Sequence, residues 1–139
     1  MCRAIELSTQ CEKVSTHYCV GAVIVTANGQ TFEGYTGETG EHDHAEEAAI
    51  TKADAAGADL RGATIYSSME PCSKRSSKPK SCSELIIERG MSRVVFALSE
   101  PDHFVCCQGE SMLRKAGIEV VVMPELAERV EDINSYLDE

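Results

Sequence analysis

Val20-Gly21-Ala22-Val23-Ile24-Val25-Thr26-Ala27-Asn28-Gly29-Gln30 is the run from which the fold is read. Its first half is apolar and β-branched, the side chains that fit a pleated, half-buried surface, and Asn28-Gly29 is a strong hairpin turn signal. A strand over 19–26 is therefore predicted to turn back into a second strand near 30–35. Upstream, Ala4, Ile5, Leu7 and Cys11 recur at roughly helical spacing, which predicts a first helix within the opening dozen residues.

Downstream, residues 41–54 are rich in Ala and Glu and predict a helix, with Asp43 as its cap before His44-Ala45-Glu46. A third strand over 63–69 ends on Glu70-Pro71-Cys72, because proline cannot donate to a ladder. Cys82 then stands at the start of a helix over 83–89 that stops at Gly90. Strand 93–97, a helix over about 110–116 closed by Gly117, and strand 118–123 form a strand-helix-strand unit, which implies parallel neighbours. Pro124 opens a last helix, on which Leu126, Val130, Ile133 and Leu137 form a core-facing stripe. With no linker or repeat in view, residues 1–139 read as a single domain, an α/β sandwich with a mixed five-stranded sheet.

Composition narrows the function. No run of 18 apolar residues is present and the first dozen residues carry charges, so neither a membrane span nor a signal peptide is indicated. A soluble, cytoplasmic protein is expected. The seven cysteines are odd in number and scattered, which favours metal binding over a disulfide framework. Cys2, Cys11, Cys19, Cys106 and Cys107 are read as packing residues. A net charge of -10 argues against a surface built to grip nucleic acid. Lys74, Arg75, Lys78 and Lys80 reverse that sign locally, either as a solvated loop or as an anion-binding one.

His44, Cys72 and Cys82 each fall at a predicted helix start or strand end, where side chains from separate elements converge on one metal. Three protein ligands of this kind leave zinc's fourth tetrahedral position for water, the pattern of a catalytic site. Two thiolates and a neutral imidazole cancel the charge of Zn²⁺, so the water is acidified less than by three imidazoles and needs a nearby base. Glu46, two residues after His44 and poorly placed to ligate with it, supplies that carboxylate and returns protons to a departing nitrogen.

His44-x-Glu46 followed by Pro71-Cys72 and a third ligand resembles the cytidine-deaminase-like superfamily, whose signature is H-x-E and then P-C-x-x-C. Nine residues separate Cys72 from Cys82, where the signature has two. That insertion is similar to the riboflavin-pathway deaminases, which act on a diaminopyrimidine ribosylamino phosphate. The likeness extends over Arg3-Ala4-Ile5-Glu6-Leu7, Val20-Gly21-Ala22-Val23-Ile24-Val25, Gly62-Ala63-Thr64-Ile65-Tyr66, Met69-Glu70-Pro71-Cys72-Ser73 and Leu113-Arg114-Lys115-Ala116-Gly117-Ile118-Glu119-Val120. It implies a three-layer α/β/α sandwich, zinc, loss of ammonia from an exocyclic amine, and a homo-oligomer, dimer or tetramer. The reductase domain that follows in bifunctional members is not expected here.

The substrate positions depart from the resembled group. Thr16-His17-Tyr18 stands where that group has an asparagine between prolines, Thr36 replaces one histidine, and Lys74 another. His17 is a candidate substrate contact, and Lys74 and Lys78 are candidates for a substrate phosphate. His42 and His103 lack partner motifs and are left out of the site. The reading is a zinc-dependent hydrolytic deaminase acting on a pyrimidine-type nucleotide or nucleoside. The alternatives are a salvage or specialised-metabolism deaminase for another amino-heterocycle, a nucleic-acid-editing enzyme, which the acidic balance and 5% aromatic content disfavour, and a zinc-stabilised scaffold, which would leave Glu46 without a role.

Overall fold

The computed structural model describes residues 1–14, 17–40, 42–73, 80–99 and 108–138. The opening run folds as expected into β1 (Gly21–Val25), which returns antiparallel as β2 (Thr31–Tyr35) with Val23 opposite Glu33. The turn uses three residues rather than the Asn-Gly pair alone. Thr26 N donates to Gln30 O at 2.8 Å, Gly29 N donates to Thr26 O at 3.0 Å, and of the turn residues only Gly29 takes a positive φ.

Around this hairpin lie α1 (Cys2–Ser8), α2 (Ala45–Ala55), β3 (Thr64–Met69), α3 (Cys82–Glu88), β4 (Arg93–Leu98), α4 (Gly109–Lys115), β5 (Glu119–Val122) and α5 (Ala127–Ile133). The sheet order is β2-β1-β3-β4-β5. β1 is antiparallel to both neighbours, whereas β3, β4 and β5 run parallel, joined through α3 and α4. One face of the sheet packs Ala22, Ile24, Ile65 and Phe96 against helices that contribute Ala49, Ile86 and Leu113. The opposite face packs Ile5 of α1 and Val130 of α5 with Met69 and Ala97. The mixed sheet between two helical layers is the architecture expected from the sequence.

The site depends on how closely α2 lies on the sheet. Its inward residues Ala45, Ala48, Ala49 and Ala53 are fully buried and small. Facing them is Gly34 of β2, where an added Cβ would come within 2.5 Å of Ala45 O and 2.7 Å of Ala49 N. Alanine on one side and glycine on the other let the backbones approach, and the start of α2 is fixed as a result.

Three expectations change. The residue capping α2 is His44, not Asp43, since Asp43 accepts from Thr39 Oγ1 at 2.7 Å while His44 N donates to Glu47 Oε1 at 3.4 Å. The last helix is not continuous: a 3₁₀ turn (Pro124–Leu126) precedes α5 and another (Ser135–Asp138) follows. Asn134 ends α5 by turning its amide to the chain before β1, accepting from Cys19 N at 2.7 Å and donating to Cys19 O at 3.2 Å. Three residues of the core stripe hold, with Val130 fully buried and Leu126 and Ile133 packed on the same cluster, while Leu137 falls in the second 3₁₀ turn and is only half-buried. Third, Cys11 and Cys19 are not separate packing residues but a disulfide, with their Cα atoms 5.4 Å apart. Packing of α1 on β1 brings the end of one beside the start of the other. Cys106 and Cys107 lie outside the described residues. Among the described residues no helix is long and apolar enough to cross a membrane.

Candidate metal centre

Three elements deliver the candidate ligands to one place. His44 precedes the first turn of α2, Cys72 lies three residues past the end of β3, and Cys82 is the first residue of α3. Helix α3 starts there because Ser81 caps it, its Oγ accepting from Glu84 N at 3.1 Å. His44 Nδ1 is 3.6 Å from Cys72 Sγ and 3.4 Å from Cys82 Sγ, and the ligand atoms of all three residues lie within 4.8 Å of one another. Both cysteines are buried and His44 is half-buried.

These separations suit zinc. Bonds of about 2.3 Å to sulfur and about 2.1 Å to nitrogen at a tetrahedral angle put the two ligand atoms roughly 3.6 Å apart, close to both imidazole-sulfur distances found. The donor chemistry agrees. Cys82 N donates to Cys72 Sγ at 3.2 Å, so the start of α3 supports a thiolate. The Cys72 thiol is held well below its usual range, first by hydrogen bonding with Cys82 and then by His44, against the opposing effect of burial. Zinc requires that deprotonated form.

Glu46 occupies the first turn of α2 and is only 4% exposed. Burial pushes its carboxyl up to about 7; the charge of His44 pulls the other way and that of Cys72 adds to the rise. A carboxyl poised near neutral pH exchanges protons in both directions, which suits a general base that must later act as an acid. His44 and Glu46 are separated by one residue, so the turn that presents the imidazole also presents the carboxyl.

Residues 1–98 match the cytidine and deoxycytidylate deaminase zinc-binding region. The chain belongs to that family. Among curated proteins, the chain is 45% identical over 123 residues to a diaminohydroxyphosphoribosylamino-pyrimidine deaminase of Schizosaccharomyces pombe, covering 87% of this chain and 30% of that protein. It is 38% identical over 122 residues to the riboflavin biosynthesis protein RibD of Escherichia coli, covering 86% of this chain and 32% of that one. The chain thus spans about a third of the length of these relatives. Among solved structures, the deaminase/reductase of Thermotoga maritima superposes with a TM-score of 0.85 at 35% identity, covering 99% of this chain and 39% of that one. The Aspergillus oryzae Rib2 deaminase in complex with DARIPP gives a TM-score of 0.80 at 25% identity, with 94% and 85% covered. The likeness to the riboflavin-pathway group drawn from the motifs is borne out.

His17 lies before β1, its Nε2 3.7 Å from Cys11 Sγ and its backbone oxygen accepting from Tyr136 Oη at 2.7 Å. Lys74 and Lys78 lie outside the described residues, as does His103, and His42 is exposed. Thr36 is buried at the end of β2, where its Oγ1 accepts from Val20 N at 2.9 Å. Sequence reasoning passed over the hydrogen bonding of Glu70, whose Oε2 accepts from Glu110 N at 2.8 Å, and the packing of Gly109 against Pro71. In the sequence Glu70 is only part of the run before Cys72, and nothing near Gly109 signals its partner.

Proposed function

We propose that this domain is a zinc-dependent hydrolytic deaminase of the riboflavin-pathway type, removing an exocyclic amine from a pyrimidine nucleotide. The observation that carries the proposal is the convergence of His44, Cys72 and Cys82 at zinc-like separations with buried Glu46 on the same helical turn. Zinc, when bound, acidifies a water and stabilises the charge that develops on it. His44, Cys72 and Cys82 hold the metal through Nδ1 and the two Sγ atoms. The Glu46 carboxylate takes a proton from the water as its oxygen adds to the ring carbon bearing the amine. The protonated carboxyl delivers that proton to the adjacent ring nitrogen, then carries the proton of the new hydroxyl to the exocyclic nitrogen, so that ammonia leaves and an oxo group remains. Burial keeps Glu46 from losing its proton to bulk solvent in between.

In this reading Lys74 and Lys78 bind the substrate phosphate, His17 contacts the substrate, and the chain works as a homo-oligomer. The test is ammonia release from amino-pyrimidine and amino-purine bases, nucleosides and nucleotides by the zinc-loaded protein. Turnover of a phosphorylated diaminopyrimidine, reduced in Lys74→Ala, is the expected result; turnover of no amino-heterocycle refutes the proposal. A second reading, a salvage or specialised-metabolism deaminase for a different ring, draws support from Thr36. Its hydroxyl is engaged with Val20 N, at a position where the resembled group has histidine. Faster release from a ring other than the diaminopyrimidine would favour that reading.

A further inference from the structure

The run Glu70-Pro71-Cys72-Ser73 leaves the sheet to place one sulfur, and each of its residues is held from a helix start. Glu70 N donates to Leu98 O at 2.8 Å, which prolongs the pairing of β3 with β4 by one residue. Beyond it, among the described residues, the support comes from helices. Pro71 O accepts from Ser83 Oγ at 3.1 Å, and Cys72 O accepts from Ser83 N at 3.0 Å, so α3 holds the middle of the run. The two ends are held by α4. Glu70 Oε2 accepts from Glu110 N at 2.8 Å, and Ser73 Oγ accepts from Gln108 N at 3.1 Å.

Between those two bonds sits Gly109, packed on the peptide that precedes Cys72. A Cβ at Gly109 would lie 2.1 Å from Pro71 O and 3.3 Å from Glu70 Oε2, closer to the carbonyl than any side-chain carbon tolerates. The contact is backbone on backbone, with no flexible side chain to yield. Glu70 and Ser73 are both buried, so their polar atoms need these partners. A carboxylate that receives one of the amides at the start of a helix also satisfies a donor that the helix itself cannot.

We propose that Glu70 is a positioning residue for Cys72: by docking the start of α4 through Glu110 N and Gly109, it sets where this thiolate stands relative to His44 and Cys82. The proposal rests on reading those three residues as the metal site. Glu70 is not one of the three candidate ligands and acts through the turn it anchors. Supports of this kind, one shell out from the ligands, typically change metal affinity tenfold to a hundredfold when removed.

The test replaces zinc with cobalt(II), whose visible bands report ligand geometry directly, and measures affinity by chelator competition under conditions where every variant is folded. Glu70→Ala and Gly109→Ala are expected to shift the cobalt bands and weaken binding at least tenfold. Glu70→Gln, which keeps an acceptor oxygen, is expected to recover most of both. Leu113→Ala, a core truncation on the same helix, serves as the control for lost stability and is expected to leave the bands in place. Parent-like bands and affinity in Glu70→Ala would overturn the proposal, as would Leu113→Ala shifting the bands as much as Glu70→Ala does. If Gly109→Ala does not fold, the contrast between Glu70→Ala and Glu70→Gln decides alone. A parent protein that binds no cobalt would overturn the metal reading itself, a result distinct from a parent that binds while Glu70→Ala binds equally well.

Discussion

Replacing Glu46 with glutamine removes one ionisation while keeping nearly the same shape, and the structure sets how much stability should follow. Its carboxyl is raised from 4.5 to about 7, chiefly by burial. Because the folded value lies above the unfolded one, the protein loses nothing below about pH 4.5 and carries the full cost of the charge above about pH 7. At roughly 1.4 kcal/mol per tenfold, that cost reaches about 3 kcal/mol by pH 8 and only about 1 kcal/mol at pH 5. Metal-free Glu46→Gln should therefore gain on the parent by about 2 kcal/mol as the pH moves from 5 to 8. Urea denaturation of both metal-free proteins at the two pH values measures this, and titration of Cys72, common to both, largely cancels in the difference. The zinc-loaded variant should meanwhile lose at least about a hundredfold in ammonia release, the usual scale for a lost general acid-base. Parallel stability profiles for the two metal-free proteins would refute the claim that Glu46 is buried and poised near neutrality. Retained turnover would refute its role in proton transfer.

Other parts of the structure yield further expectations. Reducing the Cys11–Cys19 bond, or replacing Cys11 with serine under oxidising conditions, should cost about 2.5 kcal/mol, since the bond closes a loop of only eight residues' separation; denaturant melts with and without reductant check this. Gly34→Ala should cost about 1–3 kcal/mol and weaken metal binding, because the added methyl meets Ala45 O and Ala49 N and pushes on the turn that carries His44; calorimetry with chelator competition reads both effects. Phe96→Ala, in the fully buried centre of the larger core, should cost about 3–5 kcal/mol without changing the cobalt bands of whatever protein remains folded.

The hairpin, the order of strands and helices, and the ligand set were legible because each has a local signature. β-Branched runs make strands, Asn28-Gly29 makes a turn, and His44-x-Glu46 puts a candidate ligand and a candidate base on one helical turn. The parallel half of the sheet was legible too, since a strand-helix-strand connection has few ways to close. What sequence could not supply are contacts between residues far apart in the chain. The disulfide of Cys11 with Cys19 requires α1 to pack on β1, and the end of α5 at Asn134 depends on hydrogen bonds to Cys19, 115 residues away. Asp43 looked the better cap by composition, but Thr39 had engaged its side chain. Glu70 and Gly109 carry no signal beyond a motif letter and a glycine, yet they meet because α4 returns its start to the end of β3. Sequence by itself determined which elements form and which residues are the candidates to hold zinc and move a proton. Only tertiary packing decided how tightly α2, α3 and α4 hold those residues, because that depends on backbone approaches and burial distributed over the whole sheet.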